Sequence, residues 1–454
     1  MPSSVFSRRN RSRGLASHLA IALALASGGI VAGVAVPAPA FAQNADNSRA
    51  FGQAAQPAVD LVNGLKDRTD LAPVQQQYDN ATTEEARQQA TQQLLGMVSA
   101  ERQALEGIKG VIETEGDRNL YGQLVYLVGV AARSPALLAE GLGQQLDSGL
   151  VPAEEKQRYA WDAGRFFYGA GDHANASKYL DTVLELSPHD GTAIGLKAEA
   201  MANMGQSAEG LAFLRSRLQQ ARDAGQTASP DVYRRGILIA QNEQNLQQMV
   251  AVSTELAEAH PSQQNWALAM DVLRQASRYP DPELLDLYRL MQRTNSFASE
   301  NDIKEYIELA DKSGLPGEVL LVLERTANSS MRSNGDQYYA DFRQLAEDKA
   351  AADRRDLPAA KRDAEAANAP AQSVASTADA FLSYGDSATA EALYRSALAK
   401  DGGDRDRIMT RLGIALIDQG KVQEAKDMLS QVSGARQPLA RLWLLYANQQ
   451  QPSA

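Results

Sequence analysis

Four histidines are the only imidazoles in this chain of 454 residues, and their spacing makes no site. His18 lies in an apolar N-terminal run, His173 in a turn between helices, and His189 and His260 beside prolines at helix ends. A metal site on a helix needs ligands about one turn apart, and none of the four has such a partner. A histidine at a helix C-terminus answers the helix dipole instead. Cysteine is absent, which excludes disulfides, thiolate nucleophiles, thiolate metal sites and an N-terminal lipoprotein anchor. There is no phosphate-cradling Walker loop, no Gly-rich dinucleotide fingerprint after a strand and no Gly-x-Ser-x-Gly elbow. Aspartates and glutamates abound, but on polar helix faces they serve solubility, and glycosidic chemistry needs a carboxylate pair facing across a cleft. The expectation is therefore no catalytic residue, no metal and no cofactor.

The elements that would carry such residues are helices. From about Pro57 onward apolar residues recur every three or four positions, as in Leu94, Leu95 and Val98, then Leu105, Ile108 and Val111. That is the period of an amphipathic helix. No stretch alternates long enough to argue for a strand. Hydrophobic residues make up 44% of the chain and aromatic ones only 6%, which suits thin helical layers better than one large aromatic core. Residues 43–60 are small and polar and predict a loose start. Residues 344–373 are rich in Ala, Asp, Lys and Arg, and predict a solvated helix or flexible connector.

Two pairs of segments repeat one design. Gly171 and Gly205 stand 34 residues apart. A small residue follows each after five positions (Ala176, Gly210), and a leucine four positions later (Leu180, Leu214). In 157–190, Ala160, Ala163, Gly164 and Phe167 space a first helix; Ala176, Leu180 and Val183 space a second, which Pro188 ends. Small residues at Gly164 and Ala176 let antiparallel helices approach, and Phe167 and Leu180 fill the space between them. Ile194, Ala198, Met201, Gly205, Gly210 and Leu214 repeat this in 191–224. Near the C-terminus, 371–404 carries Ala378, Phe381, Gly385, Ala390, Tyr394 and Ala397; 406–439 carries Leu412, Gly413, Leu416, Gly420, Ala425 and Leu429.

These residues resemble the tetratricopeptide repeat (TPR) family. Four units match over about 137 residues. They lack tryptophan at the family's usual first-helix position, and three lack the closing proline. The resemblance implies an all-α helical-repeat solenoid of antiparallel helix pairs, with a groove for peptides or partner proteins and no common catalytic activity. The expected layout is 1–42 signal peptide; 43–156 N-terminal helical region; 157–224 two units; 225–343 degenerate repeats, one at 229–262; 344–373 connector; 371–439 two units; and 440–454 capping helix and tail. Carried onto the first helices, the family's groove positions are Arg158, Trp161, Arg165, Tyr168, Glu199 and Asn203. Trp161 and Arg165 stand one turn apart on one face, and Trp, Arg and Tyr are the residues of interface hot spots. Asp379, Arg407, Thr410 and Asp418 make a plainer polar face in the C-terminal pair.

The first 42 residues read as targeting. Arg8, Arg9, Arg11 and Arg13 precede an apolar run from Leu15 to Val36, and Ala40-Phe41-Ala42 offers a small-x-small cleavage site before Gln43. This is the pattern of a secretory signal peptide. The length of the run leaves an uncleaved membrane anchor as the alternative; Gly28, Gly29, Gly33, Pro37 and Pro39 weaken a spanning helix. Arg8-Arg9 lacks the hydrophobic residues that follow a twin-arginine signal, so general secretion is the expected route. The net charge of −11 becomes −15 after cleavage, with 41 basic against 56 acidic residues remaining. Such a surface repels phosphate backbones and anionic lipid and favours partners with basic segments. The functional expectation is an exported, periplasmic, non-enzymatic protein that binds or scaffolds partners in the cell envelope. The alternatives are a structural homo-oligomer of the envelope and an all-helical glycan-processing enzyme.

Overall fold

The computed structural model describes residues 47–450 apart from 334. The targeting segment 1–42 and the end of the tail, 451–454, lie outside the described residues. Among these residues there are helices and turns but no strand, as the periodicity requires. None of these helices is long and apolar enough to cross a membrane. The chain divides into two units between Glu243 and Gln244.

The N-terminal unit holds α1 (Arg49–Gly64), α2 (Ala72–Asp79), α3 (Glu84–Met97), α4 (Ser99–Lys109), α5 (Glu115–Ala131), α6 (Pro135–Asp147), α7 (Ala153–Gly169), α8 (His173–Leu186), α9 (Gly191–Asn203), α10 (Ser207–Asp223) and α11 (Pro230–Asn242). The loose start expected over 43–60 is corrected: α1 begins at Arg49. Ser48 caps it, and Phe51, Ala55, Ala58 and Val62 form a buried stripe at helical spacing. From α5 onward the helices form hairpins, α5–α6, α7–α8 and α9–α10, each packed on its neighbour.

Each hairpin turn is built alike. The first helix ends in a residue with positive φ, and the next amide reaches back five residues. Gly171 has φ +81° and Asp172 N donates to Phe167 O at 3.0 Å; Gly205 has φ +80° and Gln206 N donates to Met201 O at 2.9 Å. This is the Schellman closure, and it explains why glycine sets the 34-residue beat. Arg133 takes the same place in α5–α6 with φ +50°, and Ser134 N donates to Gly129 O at 3.0 Å. This hairpin therefore has no glycine in its turn. Its glycines lie between the helices: a Cβ on Gly141 would stand 2.5 Å from Tyr126 N, and one on Gly122 2.7 Å from Gly141 O.

The C-terminal unit holds α12 (Leu246–Ala259), α13 (Gln263–Ser277), α14 (Asp281–Arg293), α15 (Glu300–Lys312), α16 (Pro316–Arg325), α17 (Gln337–Ala364), α18 (Ala371–Ser383), α19 (Ser387–Leu398), α20 (Arg405–Asp418), α21 (Val422–Leu429) and α22 (Gln437–Gln449). The two helices of the segment 229–262 fall in different units, and α12 pairs with α13. The charged stretch 344–373 is helical over most of its length, as the long α17 and the start of α18. Its side chains are mainly exposed, though Tyr384 donates to Asp353 at 2.7 Å.

Helix α22 does more than close a stack. It packs on α20 and α21 and also returns to the start of the unit. Trp443 Nε1 donates to Asp286 O at 3.2 Å, and Gln449 Nε2 to Ala257 O at 3.2 Å. Helices α20 and α22 thereby lie against α14, which also packs on its neighbours α13 and α15. Residues 285 to 291 of α14 are buried on all sides.

Candidate functional site

On the N-terminal unit, α7 and α9 are the first helices of successive hairpins and α11 follows them. Helix α9 packs on both α7 and α11, and α7 and α9 pack on their hairpin partners α8 and α10. Their common face carries all six residues expected from the sequence. Arg158, Trp161 and Arg165 recur at i, i+3 and i+7 along α7, one stripe of a helix. Arg158 and Arg165 are exposed and Trp161 is half-buried. Each arginine turns back on its own helix: Arg158 pairs with Glu155, and Arg165 reaches Asp162 at 3.3 Å. Each also lies 4.9 Å over the ring of the next residue, Arg158 over Tyr159 and Arg165 over Phe166. Exposed i,i+3 pairs of this kind contribute about 1 kcal/mol at most, so both guanidiniums can exchange partners cheaply.

Trp161 is not among the side chains packed on the local core of Leu142, Ala163 and Tyr179, which takes Tyr159, Phe166 and Phe167 instead. Burial pushes the Asp162 carboxyl up, against the pull of Arg165 and Arg158.

The other three expected residues meet one turn further along. Tyr168 donates to Glu199 Oε2 at 3.2 Å, and Asn203 Nδ2 donates to the Tyr168 hydroxyl at 3.4 Å. A fourth member was not legible in the sequence. Arg235, from α11, pairs with Glu199. It can cross α9 because position 195 is glycine, where a Cβ would sit 2.7 Å from Arg235 Cδ. Burial raises the Glu199 carboxyl, and Arg235 opposes that rise. Burial also raises the Tyr168 hydroxyl, with the Glu199 charge adding to it. His173 opens α8 and stands edge-on to Tyr168, with ring centroids 5.2 Å apart. The site is thus an aromatic and guanidinium stripe on α7, continued by a Tyr–Glu–Arg–Asn cluster over α9 and α11. It offers recognition, with no nucleophile beside a base.

The plainer face expected on the C-terminal pair is corrected. Asp379, Thr410 and Arg411 are buried and Arg407 is partly so, while Asp418 stays exposed. The reason is α14, which lies against them. Asp286 is fully buried and meets three arginines. Arg411 Nε lies 3.0 Å from Oδ1, Arg436 Nη1 2.8 Å from Oδ2, and Arg289 Nη1 2.7 Å from Oδ1. Burial alone would raise this carboxyl; the charges of Arg411, Arg436 and Arg289 outweigh it and hold it well below the usual range. Arg411 also reaches Asp379 at 2.6 Å, and Arg436 reaches Glu283 at 3.0 Å. Arg289 pairs with Glu318, and Tyr306 donates to Glu318 at 2.8 Å. At the far end of α14, Arg293 donates to both oxygens of Asp418 at 3.0 Å. Among the described residues no group of three or more histidine, aspartate or glutamate side chains could hold a metal.

The sequence profile of the tetratricopeptide repeat family matches residues 167–228 and 381–448. Both stretches are tetratricopeptide repeats. Each begins near the end of a first helix, α7 or α18, and spans the turns that carry Gly171 and Gly205 or Gly385 and Gly420. No curated protein sequence matches the chain. Among solved structures, a monomeric IFIT1 mutant with m7Gppp-AAAA is 12% identical, with 86% of each chain covered and a TM-score of 0.22. Naa15/Naa10 bound to HypK-THB is 11% identical, covering 85% of this chain and 70% of that one, at a TM-score of 0.21. TPR units generally serve protein–protein interaction.

Proposed function

We propose that this chain is a non-enzymatic, exported scaffold whose N-terminal repeats dock partner proteins on the face formed by α7, α9 and α11. The observation that carries this reading is the contrast between two faces of one kind. The C-terminal first helices are covered by α14, whereas Arg158, Arg165 and Asn203 stand exposed on the N-terminal ones. Tryptophan, tyrosine and arginine together are the usual anchors of protein interfaces. Export to the periplasm rests on the sequence alone, on Arg8–Arg13, the run Leu15–Val36 and the Ala40-Phe41-Ala42 site. The acidic balance of the chain, −11 overall, draws partners with basic segments at long range.

The test is crosslinking in intact cells, beside a Trp161→Ala/Arg165→Ala variant. A partner recovered with the wild type and lost with the variant supports docking at this face. Recovery of the protein with itself alone would replace the scaffold by a homo-oligomer of the envelope. Mass measurement of the exported chain checks the rest: an N-terminus at Gln43 supports cleavage, and a retained leader favours an N-terminal anchor.

A further inference from the structure

The C-terminal unit displays how first helices of this kind hold a helix. Its occupant is α14, seated lengthwise by side chains of the repeats. Arginines of the repeat block take the carboxylates of the seated helix: Arg411 and Arg436 bind Asp286, and Arg436 also binds Glu283. Trp443 lies between these contacts and the far end, donating to the Asp286 carbonyl and stacking under Arg293 at 5.2 Å. The recognition code is therefore arginine to carboxylate, with an indole alongside.

The N-terminal repeats carry the same groups on α7 without an occupant from their own unit. Arg158, Trp161 and Arg165 place an indole between two guanidiniums over two helical turns. The charge pattern differs in register from the C-terminal block. Six residues before the turn glycine stands Arg165 in one block and Asp379 in the other; two residues before it stand Asn203 and Asp418. Where the C-terminal block offers Asp418 to a guanidinium, the N-terminal block offers a neutral amide, and where the C-terminal block has Asp379, it offers a cation.

We infer that the N-terminal face takes a helix from a partner protein, one that carries two carboxylates about two turns apart with an apolar side chain between them. The carboxylates meet Arg158 and Arg165, and the apolar residue covers Trp161. This rests on the docking reading above. The guanidiniums are available because their present partners, Glu155 and Asp162, are exposed or half-buried neighbours on the same helix. The residues flanking the two carboxylates are free to be basic, which is what the net charge of the chain attracts. Helix-in-groove docking of this kind is read through anchors at i, i+3 or i+4 and i+7.

The experiment pans a displayed library of random 18-residue peptides against the full-length mature chain. Enriched peptides are then measured by fluorescence anisotropy against wild type, Arg158→Ala/Arg165→Ala and Trp161→Ala. The expected result is enrichment of acidic residues seven apart around an apolar one, helicity gained on binding, and affinity lowered about tenfold or more by the double arginine variant, the size of effect charged interface pairs show. Arg165→Glu should bind a peptide whose facing glutamate is changed to lysine better than it binds the parent peptide. Enriched peptides without this spacing, or with affinities unmoved by the arginine variant, would overturn the inference and leave the docking reading standing. A library that yields no binder at all would sink both. The arginines are exposed, so unchanged thermal midpoints of the variants separate lost contact from lost fold.

Discussion

Asp286 is a fully buried carboxylate among three guanidiniums. A carboxylate with no exposed surface is tolerable only while Arg289, Arg411 and Arg436 remain around it. Removing one partner of a buried ionic cluster leaves the others uncompensated, which costs about 3–5 kcal/mol. Asp286→Ala should therefore destabilise the C-terminal unit by about that amount in urea unfolding, and a loss below about 1 kcal/mol would mean that water already shares the cluster. Glu391 makes a milder case. Burial would raise it, but hydrogen bonds from Lys421, Arg395 and Gln419 bring it down from 4.5 to about 2. Its folded form binds its proton less readily than its unfolded form. The stability it contributes is thus present above about pH 4.5 and drains away as pH falls towards 2. A Glu391→Gln variant should show a flatter decline of stability over that window than wild type; parallel curves would contradict the assignment. Neither residue was legible in the sequence. Asp286 meets partners 125 and 150 positions away, and nothing in a run of helical periodicity marks one aspartate among many as the buried one.

At the scale of single elements, what the sequence made legible depended on backbone conformation. The hairpins at Gly171, Gly205, Gly385 and Gly420 could be read because each turn needs positive φ, which glycine adopts freely, each at +73° to +81°. The hairpin α5–α6 could not, because Arg133 holds the same conformation without glycine. Its signal lay elsewhere, in Gly122, Gly129 and Gly141, spaced so that two helix backbones can touch. Gly141→Ala would push a methyl group to 2.5 Å from a backbone nitrogen on α5. Backbone cannot step aside as a side chain can, so a loss of about 1–3 kcal/mol is expected. Thermal unfolding measures it, and a neutral substitution would mean that α5 and α6 slide apart freely. The placement of the expected residues of α7 and α9 on one side of their helices was legible for a related reason, since spacing along a helix fixes the face. Arg235 was not, because it reaches that face from the neighbouring helix α11 through the space left at Gly195.

For the whole molecule, the two units hold together by different rules. In the N-terminal one each hairpin rests on its neighbours, so its stability is a sum of local terms and its ends can open first. In the C-terminal one the last helix returns to α12 and α14, so no end is free. Amide hydrogen exchange should show graded protection from α11 back towards α7, and nearly uniform protection across α14, α20 and α22. Protection that fell steadily towards α22 would show that the closure opens on its own. The all-helical repeat architecture was visible in the sequence because it follows from local period; the closure was not, because it is made by side chains far apart in the chain.

The ring of contacts around α14 also bears on how such a chain can change over generations. An open row of hairpins accepts the gain or loss of one 34-residue copy, since every junction resembles the next. Between α14 and α22 the count is fixed. One copy more or fewer would carry Trp443 and Arg436 past Asp286, so this half of the molecule can drift in its residues but not in its number of repeats.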